Sequence, residues 1–552
     1  MTGSTTSWQT SAVKRRSSAL DRRRALAGAA RRRWRWAALP FGVVYLVLLA
    51  LNYHAIIATA YLDADTVSAP VIGQLLGSAA PHAHVVLGVF GWYSTLLFLL
   101  ATRSLPLHRE IWELAPYAMA LAGAGLAAWS VWQVAGRVAA SLTAVLLICA
   151  APATLHLLLS MTQHAPDWFC VALLAAWAVL LTRRAAALPS ALLFGGALLV
   201  GVVVGVNAAG DVLLVFAGIA PFALALGAEL AVGRGPRAAR AASVGLFTLA
   251  VAGASWAITG AAMSALHAAP EAGLNTTALA SGGQIGTNFR LWWQSIAVLG
   301  NGDFFGHNLS FTTGLSVACA VLSLTAIVVL ARAGWGTVRD PRMAPGRLAF
   351  MTFWCSSAAF LTGAFLLSAI PVDIHADRYL VGLIYAAAAV VPVVAMRRAV
   401  TEALAIAGTS VVALAGVVSL AQGADTRNTG GFPSQVVSDR IAAIAAREGA
   451  SVGYSGYWDA APITWAAHFR VKVYPVSICD RGEHLCRFDL HYITSWYTPR
   501  AATRSFLLGD PSLSLVPGPT PDLGRPSAVF HVGQVTMYVY PYDVATRILA
   551  NP

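Results

Sequence analysis

The sequence predicts a polytopic α-helical membrane protein with about 11 spans and a small α/β domain at its C-terminal end. Two features of the composition lead to this fold class: 57% of the 552 residues are apolar and only 11% are charged. A chain this apolar over such a length indicates many membrane spans rather than one buried core. The third feature is a change in pattern after about residue 425, where the chain becomes polar and short alternating segments typical of strands begin.

Apolar segments long enough to cross a bilayer recur throughout the first part of the chain. They lie at about 37–58, 114–132, 139–160, 168–182, 189–206, 212–232, 242–263, 309–331, 348–370, 379–396 and 403–421. If the N-terminus is inside, every strongly basic short loop falls on the cytoplasmic side, as the positive-inside rule requires. Residues 85–101 are apolar enough for a twelfth span. A crossing there would reverse all later loops, so we expect an interfacial or re-entrant helix.

Three regions follow from this topology. Residues 1–36 carry ten basic residues and are predicted to be a disordered cytoplasmic tail that contacts anionic lipid, not nucleic acid. Residues 37–422 form a transmembrane domain with a first outer loop at 59–113 and a long outer loop at 264–308. Residues 423–552 are predicted to be an extracytoplasmic α/β domain with a helix at 435–447 and strands in "ASVGYS", "RVKVYPVS" and "VTMYVY". The protein is therefore expected in the plasma membrane, multi-pass, with a cytoplasmic N-terminus.

Two of the six cysteines lie in the predicted outer domain. Cys479 and Cys486 flank a short polar loop, and an oxidising compartment would allow them to form a disulfide. The other four lie in predicted spans, where a cysteine is most simply a small apolar residue.

The stretch "TAYLDADTVSAP" places Asp63 and Asp65 where the first apolar run leaves the membrane. A carboxylate near the interface needs water, a cation or a reacting partner, and burial raises its pKa toward the range of a general base. The alternative is helix capping, because an Asp at a helix start satisfies free N–H groups of the first turn. The tripeptide Asp-x-Asp alone does not decide between the two.

The position of this pair resembles the GT-C superfamily of polyprenyl-phosphate-sugar glycosyltransferases. The first span is followed at once by the acidic pair and a long outer loop, and "WYSTLLFLLATRSLPLHREIWELAP" resembles the stretch in which such proteins carry an outer Arg. The chain is similar in this respect to lipid A aminoarabinose transferases and protein O-mannosyltransferases. The similarity covers about the first 185 residues, and the later spans only in general plan. Because almost all basic residues are Arg, a high-GC bacterial genome of actinobacterial type is expected.

The resemblance implies a transferase of the hexosyl or pentosyl type. Its first-loop carboxylate would be a general base that takes a proton from an acceptor hydroxyl, and this role falls on Asp65 or Asp63. Ala69, Ile72 and Leu76 follow Asp65 at helical spacing, which favours Asp65. The donor would be a polyprenyl-phosphate sugar, and the acceptor a glycan, lipid or protein of the cell envelope. Some members of the superfamily use a divalent metal and others do not, so no metal ligand is assigned.

Candidate substrate-binding residues lie in other outer loops. In "TQHAPDWF", Asp167 with His164 occupies the place of a second acidic residue in the superfamily, although Asp167 also fits an N-cap. A guanidinium is well suited to the phosphate leaving group, since it stays charged and donates two hydrogen bonds. Arg378 beside Tyr379 in "VDIHADRYL" resembles an Arg-Tyr pair of the superfamily; the alternative is an ion pair of Arg378 with a neighbouring aspartate. The sequence offers two further guanidinium candidates, Arg103 and Arg290.

Two other classes of protein remain as alternatives. A lipid or solute transporter places charged groups near the membrane midplane, whereas the predicted spans are almost free of ionisable residues. A non-catalytic scaffold of envelope assembly would not need the acidic pair. The sequence contains no P-loop, dinucleotide fingerprint, nucleophile elbow or zinc-protease helix.

Overall fold

The computed structural model describes most of the chain. The described residues are 34–59, 64–76, 83–86, 109–159, 164–233, 235–265, 278–306, 308–340, 342–344, 346–371, 374–422, 434–479, 482–488, 491–501, 503–511 and 516–549. Asp63 and Arg103 lie outside these ranges, as do residues 1–33 of the predicted tail, and for Asp65 only the backbone is described.

A bundle of long helices occupies the part of the chain before residue 422. In chain order the helices are α1 (Leu39–Thr59), α2 (Ala64–Leu76), α3 (Arg109–Ala135), α4 (Arg137–Ile148), α5 (Pro152–Leu159), α6 (Ala165–Arg184), α7 (Ser190–Ala208), α8 (Ala220–Val232), α9 (Pro236–Ala265), α10 (Gly282–Leu299), α11 (Phe311–Arg339), α12 (Arg347–Leu367), α13 (Val381–Ala395) and α14 (Ala399–Ala421). A π-helical turn precedes α8 and a 3₁₀ turn, Ile374–Leu380, precedes α13. Within the described ranges, nine helices are long and apolar enough to cross a membrane, and a bent pair brings the number to ten.

The bent pair is α4 and α5, which meet at an angle of 87°. We expected one continuous span at 139–160, and this expectation is wrong. Pro152 begins α5, and a proline has no N–H to continue the hydrogen-bond ladder of a preceding helix, so the chain turns at residues 149–151.

Small residues allow α7 and α9 to pack at close distance. Gly201 and Gly205 are one helical turn apart in "GVVVG" on α7. A Cβ on Gly205 would lie 2.2 Å from the carbonyl oxygen of Ala252 on α9, and one on Gly201 would lie 2.7 Å from Val251. The two backbones therefore touch where no larger side chain fits, which is the usual packing of helices within a membrane.

Basic loops lie together at one end of the bundle. Arg237 at the start of α9 donates hydrogen bonds to the carbonyl oxygens of Thr182 and Arg183 at the end of α6. Arg35 forms an ion pair with Glu402 at the start of α14. Residues 34–36 were predicted to be part of the disordered tail. This prediction is wrong for them, because the ion pair between Arg35 and Glu402 holds them against the bundle.

A seven-stranded sheet forms the centre of the C-terminal domain. In chain order the domain contains α15 (Gln435–Glu448), β2 (Val452–Ser455), α16 (Tyr457–Ala466), β3 (Lys472–Cys479), β4 (His484–Arg487), β5 (Tyr492–Ile493), β6 (Ser505–Gly509), β7 (Ala528–Val532), β8 (Val535–Tyr540) and β9 (Ile548–Leu549). Strand β1 (Val85–Val86) lies in the first loop and forms a separate two-stranded sheet with β5. The strand order is β7-β8-β6-β2-β3-β4-β9, with β2 parallel to both β6 and β3. The helix at 435–447 and the three predicted strands are confirmed. Cys479 and Cys486 form the predicted disulfide across the β3–β4 hairpin.

The C-terminal domain is seated on the first loop. β1 pairs in antiparallel fashion with β5, and the Thr494 N–H donates to the carbonyl oxygen of His84 beside this pair. Helix α2 packs against α16, and Val67 and Val71 of α2 share an apolar cluster with Tyr454 and Trp465 of the domain. We expected a helix to begin at residue 85. This prediction is wrong for residues 85 and 86, because they form strand β1, which pairs with β5 of the C-terminal domain.

Candidate active site

Four polar side chains meet at the end of the bundle that carries the C-terminal domain. His164 precedes α6, Asp167 lies in its first turn, Asn207 lies in the last turn of α7, and Asp211 follows in the next loop. None of these residues is more than 4% exposed. Pro166 helps to begin α6, and an aspartate in the first turn is stabilised by the free N–H groups there. We call these four residues the polar cluster.

Hydrogen bonds link the polar cluster internally. His164 Nδ1 contacts one oxygen of each carboxylate: Asp167 Oδ2 at 3.2 Å, and Asp211 Oδ2 more closely. The Asn207 side-chain amide donates to Asp167 Oδ1, and the Leu213 backbone N–H donates to Asp211 Oδ1 at 2.9 Å. Each carboxylate is therefore oriented through one oxygen and directs the other toward the imidazole.

The charges of the polar cluster depend on one another. Burial by itself would lower the pKa of His164, but the carboxylates of Asp211 and Asp167 outweigh this and raise it to about 10. For Asp211, burial opposes ionisation, whereas the charge and hydrogen bonds of its neighbours, His164 first, lower its pKa overall. The site thus favours an imidazolium paired with at least one carboxylate.

An aromatic residue connects the polar cluster to a guanidinium. The Tyr379 ring lies 5.2 Å from the His164 ring, centroid to centroid. Arg378 Cζ lies 5.2 Å from the centroid of the Tyr379 ring, and Arg378 donates to the Tyr379 hydroxyl oxygen at 3.3 Å. The structure therefore brings together four residues that the sequence predicted from separate loops: His164, Asp167, Arg378 and Tyr379.

Two other candidates, Asp65 and Arg290, are not members of the polar cluster. Asp65 is on the first turn of α2, and the cluster that contains Val67 and Val71 also packs against Ala209, two residues before Asp211. Arg290 lies on α10, which packs against the 3₁₀ turn of Arg378. Its side chain is exposed, and among the described residues it makes no contact with the polar cluster.

Asp211 and Asn207 were not assigned to the site from the sequence. The signal was an acid in the loop "NAAGD" at the same predicted end of the bundle as Asp167. Two acids at one end of neighbouring spans would have justified the assignment. The contact itself depends on how α6 and α7 pack, which the sequence pattern does not give.

The bundle contains an apolar cavity of about 790 Å³. It runs between α4, α11, α13 and α14, and its walls include Leu147, Ile296, Val321, Leu383 and Val412. Leu383 on the cavity wall lies in the first turn of α13 and follows Arg378 by five residues in the chain.

This helix bundle with a domain seated on its first loop is the GT-C type of architecture that the first spans predicted. The chain is similar to the solved structure of ArnT from Cupriavidus metallidurans bound to undecaprenyl phosphate, with a TM-score of 0.54 over 92% of this chain and 99% of that one, at 13% identity. The apo state of the same ArnT aligns with a TM-score of 0.41, 13% identity and coverages of 94% and 100%. At this identity the likeness shows the fold. No protein-family model and no curated protein sequence matches the chain.

Proposed function

We propose that the protein is a membrane glycosyltransferase that moves a sugar from a polyprenyl-phosphate donor to a cell-envelope glycan, lipid or protein. The observation that carries this proposal is that three features adjoin one short part of the chain. An apolar cavity borders α13, the 3₁₀ turn directly before α13 carries Arg378 and Tyr379, and the Tyr379 ring lies beside His164 of the polar cluster. A lipid-linked phosphate sugar likewise combines an apolar chain, an anion and a polar sugar.

The cavity and Arg378 account for the carrier. An isoprenoid chain would occupy the cavity between α11, α13 and α14, because its walls are almost entirely apolar. The phosphate would then reach Arg378, whose guanidinium is oriented by the Tyr379 ring and hydroxyl. The undecaprenyl phosphate bound to the structurally similar ArnT supports a carrier of this class.

The reaction is a single displacement at the anomeric carbon. Asp65 or Asp63 takes the proton of the acceptor hydroxyl as its oxygen forms a bond to the anomeric carbon. The bond from that carbon to the phosphate oxygen breaks, its electron pair stays on the phosphate, and Arg378 stabilises the charge. One displacement from the opposite side inverts the anomeric carbon. Asp167 and His164 would contact the sugar.

The chemistry is proposed for the extracytoplasmic face. The polar cluster and the C-terminal domain share one end of the bundle, and the basic loops share the other. Basic loops are typical of the cytoplasmic side, and this supports a cytoplasmic N-terminus and an outward-facing site.

Transfer from radiolabelled polyprenyl-phosphate sugars to envelope extracts would test the enzymatic role. In nanodiscs, the double variant Asp63→Asn with Asp65→Asn should lose 10²–10⁴-fold of the transfer rate, about the contribution of a general base. Arg378→Ala should lose a comparable factor, whereas Arg342→Ala, an exposed residue remote from the site, should keep the rate. Unchanged transfer by the double variant would contradict the role of the acidic pair.

Binding of undecaprenyl phosphate tests the cavity without knowledge of the sugar. Val412→Trp would fill part of the cavity and should weaken binding at least tenfold. Leu199→Trp is the control, because Leu199 is 67% exposed on α7 and does not line the cavity. Equal binding by both variants would place the carrier elsewhere. Movement of labelled carrier between leaflets without sugar transfer would favour a flippase.

A further inference from the structure

Two arginines lie beside the apolar cavity at the end of the bundle that carries the basic loops. Arg347 begins α12 and is half-buried, and Arg397 follows α13 and is exposed. Nη2 of Arg347 donates a hydrogen bond to the carbonyl oxygen of Val393 at 3.4 Å. The next two residues, Val394 and Ala395, line the cavity. The guanidinium of Arg347 is therefore anchored next to the cavity wall. We call Arg347 and Arg397 the arginine pair.

No carboxylate of the described residues forms an ion pair with the arginine pair. Two acids of the same end have other partners: Glu402 pairs with Arg35, and Glu229 accepts from two backbone N–H groups at the start of α12. The charge of Arg397 acts on Arg347, and like charges repel. Within the described chain, Arg347 uses one of its five N–H groups, and its Nε is buried without a partner. Such an environment favours a bound anion.

The cavity wall near the arginine pair is apolar and continues onto the lipid-facing surface. Leu404 on α14 lines the cavity and is 65% exposed, so its side chain belongs both to the wall and to the outer surface. Leu383 and Ala395 line the cavity at opposite ends of α13, about 18 Å apart along the helix axis. The carrier phosphate proposed above would lie at Arg378, before the Leu383 end. The arginine pair lies at the Ala395 end, where an acyl chain can enter from the bilayer beside Leu404.

We propose that the arginine pair binds the phosphate of an anionic phospholipid from the adjacent leaflet, with an acyl chain in the cavity beside Leu404. A guanidinium donates two hydrogen bonds to phosphate oxygens, and basic pockets between membrane helices suit anionic headgroups. A headgroup with an ammonium group would bring a third cation next to the pair. Phosphatidylglycerol and cardiolipin are therefore favoured over phosphatidylcholine. The site does not depend on the proposed transferase activity, because a phospholipid binds there whether or not sugar is transferred.

Lipid binding by the full chain tests the proposal. Delipidated protein in a neutral detergent is titrated with cardiolipin, phosphatidylglycerol or phosphatidylcholine, and native mass spectrometry measures the bound lipid. The two anionic lipids should bind at one site per chain, more than about tenfold tighter than phosphatidylcholine. Equal affinities for the three lipids would overturn the proposal. An excess of inorganic phosphate should displace no more cardiolipin than chloride of the same ionic strength does. Greater displacement would indicate a site for free phosphate and contradict a lipid site.

Variants assign the lipid to the arginine pair. Arg347→Gln combined with Arg397→Gln should weaken phosphatidylglycerol binding about 30-fold, from about fivefold for each charge. The matched control is Arg332→Gln combined with Arg339→Gln, which removes two exposed arginines near the end of α11 that do not line the cavity. The control should bind lipid as the wild type does. An equal loss in both double variants would show a general effect of charge and refute the assignment.

Two single variants separate this site from other causes of weak binding. Arg397 is exposed, so Arg397→Gln should fold normally and still lose about fivefold in affinity. Circular dichroism checks the fold of each variant, and unchanged affinity in folded Arg397→Gln would contradict the proposal. Arg378→Ala should keep phospholipid binding, because Arg378 lies before the opposite end of α13. A loss in Arg378→Ala with none in Arg397→Gln would place the phospholipid at the proposed carrier site instead.

Discussion

The Asp459→Asn substitution should remove a large pH dependence of stability from the C-terminal domain. Asp459 lies in the first turn of α16, is 2% exposed and accepts a hydrogen bond from the Ser455 hydroxyl at 3.4 Å. Burial, followed by the nearby charge of Asp510, raises the pKa of Asp459 from 3.8 to about 8, against a small opposing effect of Ser455. The folded domain therefore binds a proton that the unfolded chain has already released.

The magnitude follows from this difference in proton binding. Between pH 4 and pH 8 the folded state holds one more proton than the unfolded state, so each pH unit lowers the free energy of unfolding by about 1.4 kcal/mol. The stabilisation is complete below the unfolded pKa and is lost as the pH rises through the folded one. From pH 5 to pH 7 the wild type should lose about 2.7 kcal/mol on this account.

Urea unfolding of the full chain in mild detergent, followed by tryptophan fluorescence, measures this loss. Asp459→Asn carries no titrating proton and should show a flatter profile from pH 5 to pH 8, with a relative gain at pH 8. Glu483→Gln is the matched control, because Glu483 is an exposed acid of the same domain and should leave the wild-type slope intact. Parallel profiles for wild type and Asp459→Asn would refute the reasoning.

Three further predictions concern packing, the disulfide and the long outer loop. Gly205→Ala should lower the unfolding temperature, at a cost of about 1–3 kcal/mol or more, because its Cβ would overlap a backbone carbonyl; Gly195→Ala, with no atom within 4 Å, should have little effect. Replacing Cys479 and Cys486 by Ser should lower the free energy of unfolding in urea by about 2.5 kcal/mol, and reductant should then have no further effect on the variant. Asn288→Ala removes three hydrogen bonds to the end of α12 and should lower the unfolding temperature, at a cost of about 1–3 kcal/mol; an unchanged value would contradict a stabilising role of these three hydrogen bonds.

The bundle was the part most accessible from the sequence. Hydropathy identifies a span because the lipid phase demands about 20 apolar residues with paired backbone groups, and each predicted segment contains a helix in the structure. Hydropathy does not reveal where a helix bends, so the turn between α4 and α5 before Pro152 was missed. In the C-terminal domain, "VTMYVY" alternates with the period of a strand and became β8.

The site was predicted only in part, for a related reason. His164 with Asp167, and Arg378 with Tyr379, were found from two separate loops, because a polar residue at the end of an apolar run is conspicuous. Asp211 also lies at the end of an apolar run, but no role was assigned to it from the sequence. Its membership depends on the closeness of two helix ends, which is a property of packing rather than of local pattern.

The pairing of β1 with β5 has a consequence for how the protein is made. Val85 and Ile493 are partners in this ladder although more than 400 residues separate them. The ribosome releases the first strand long before it synthesises the second. A nascent or prematurely terminated chain that lacks the second strand can insert its helices into the membrane, but its first loop then has no strand to pair with. Biogenesis of this protein therefore ends with a docking step at the membrane surface, and completion of the site near α2 waits for it.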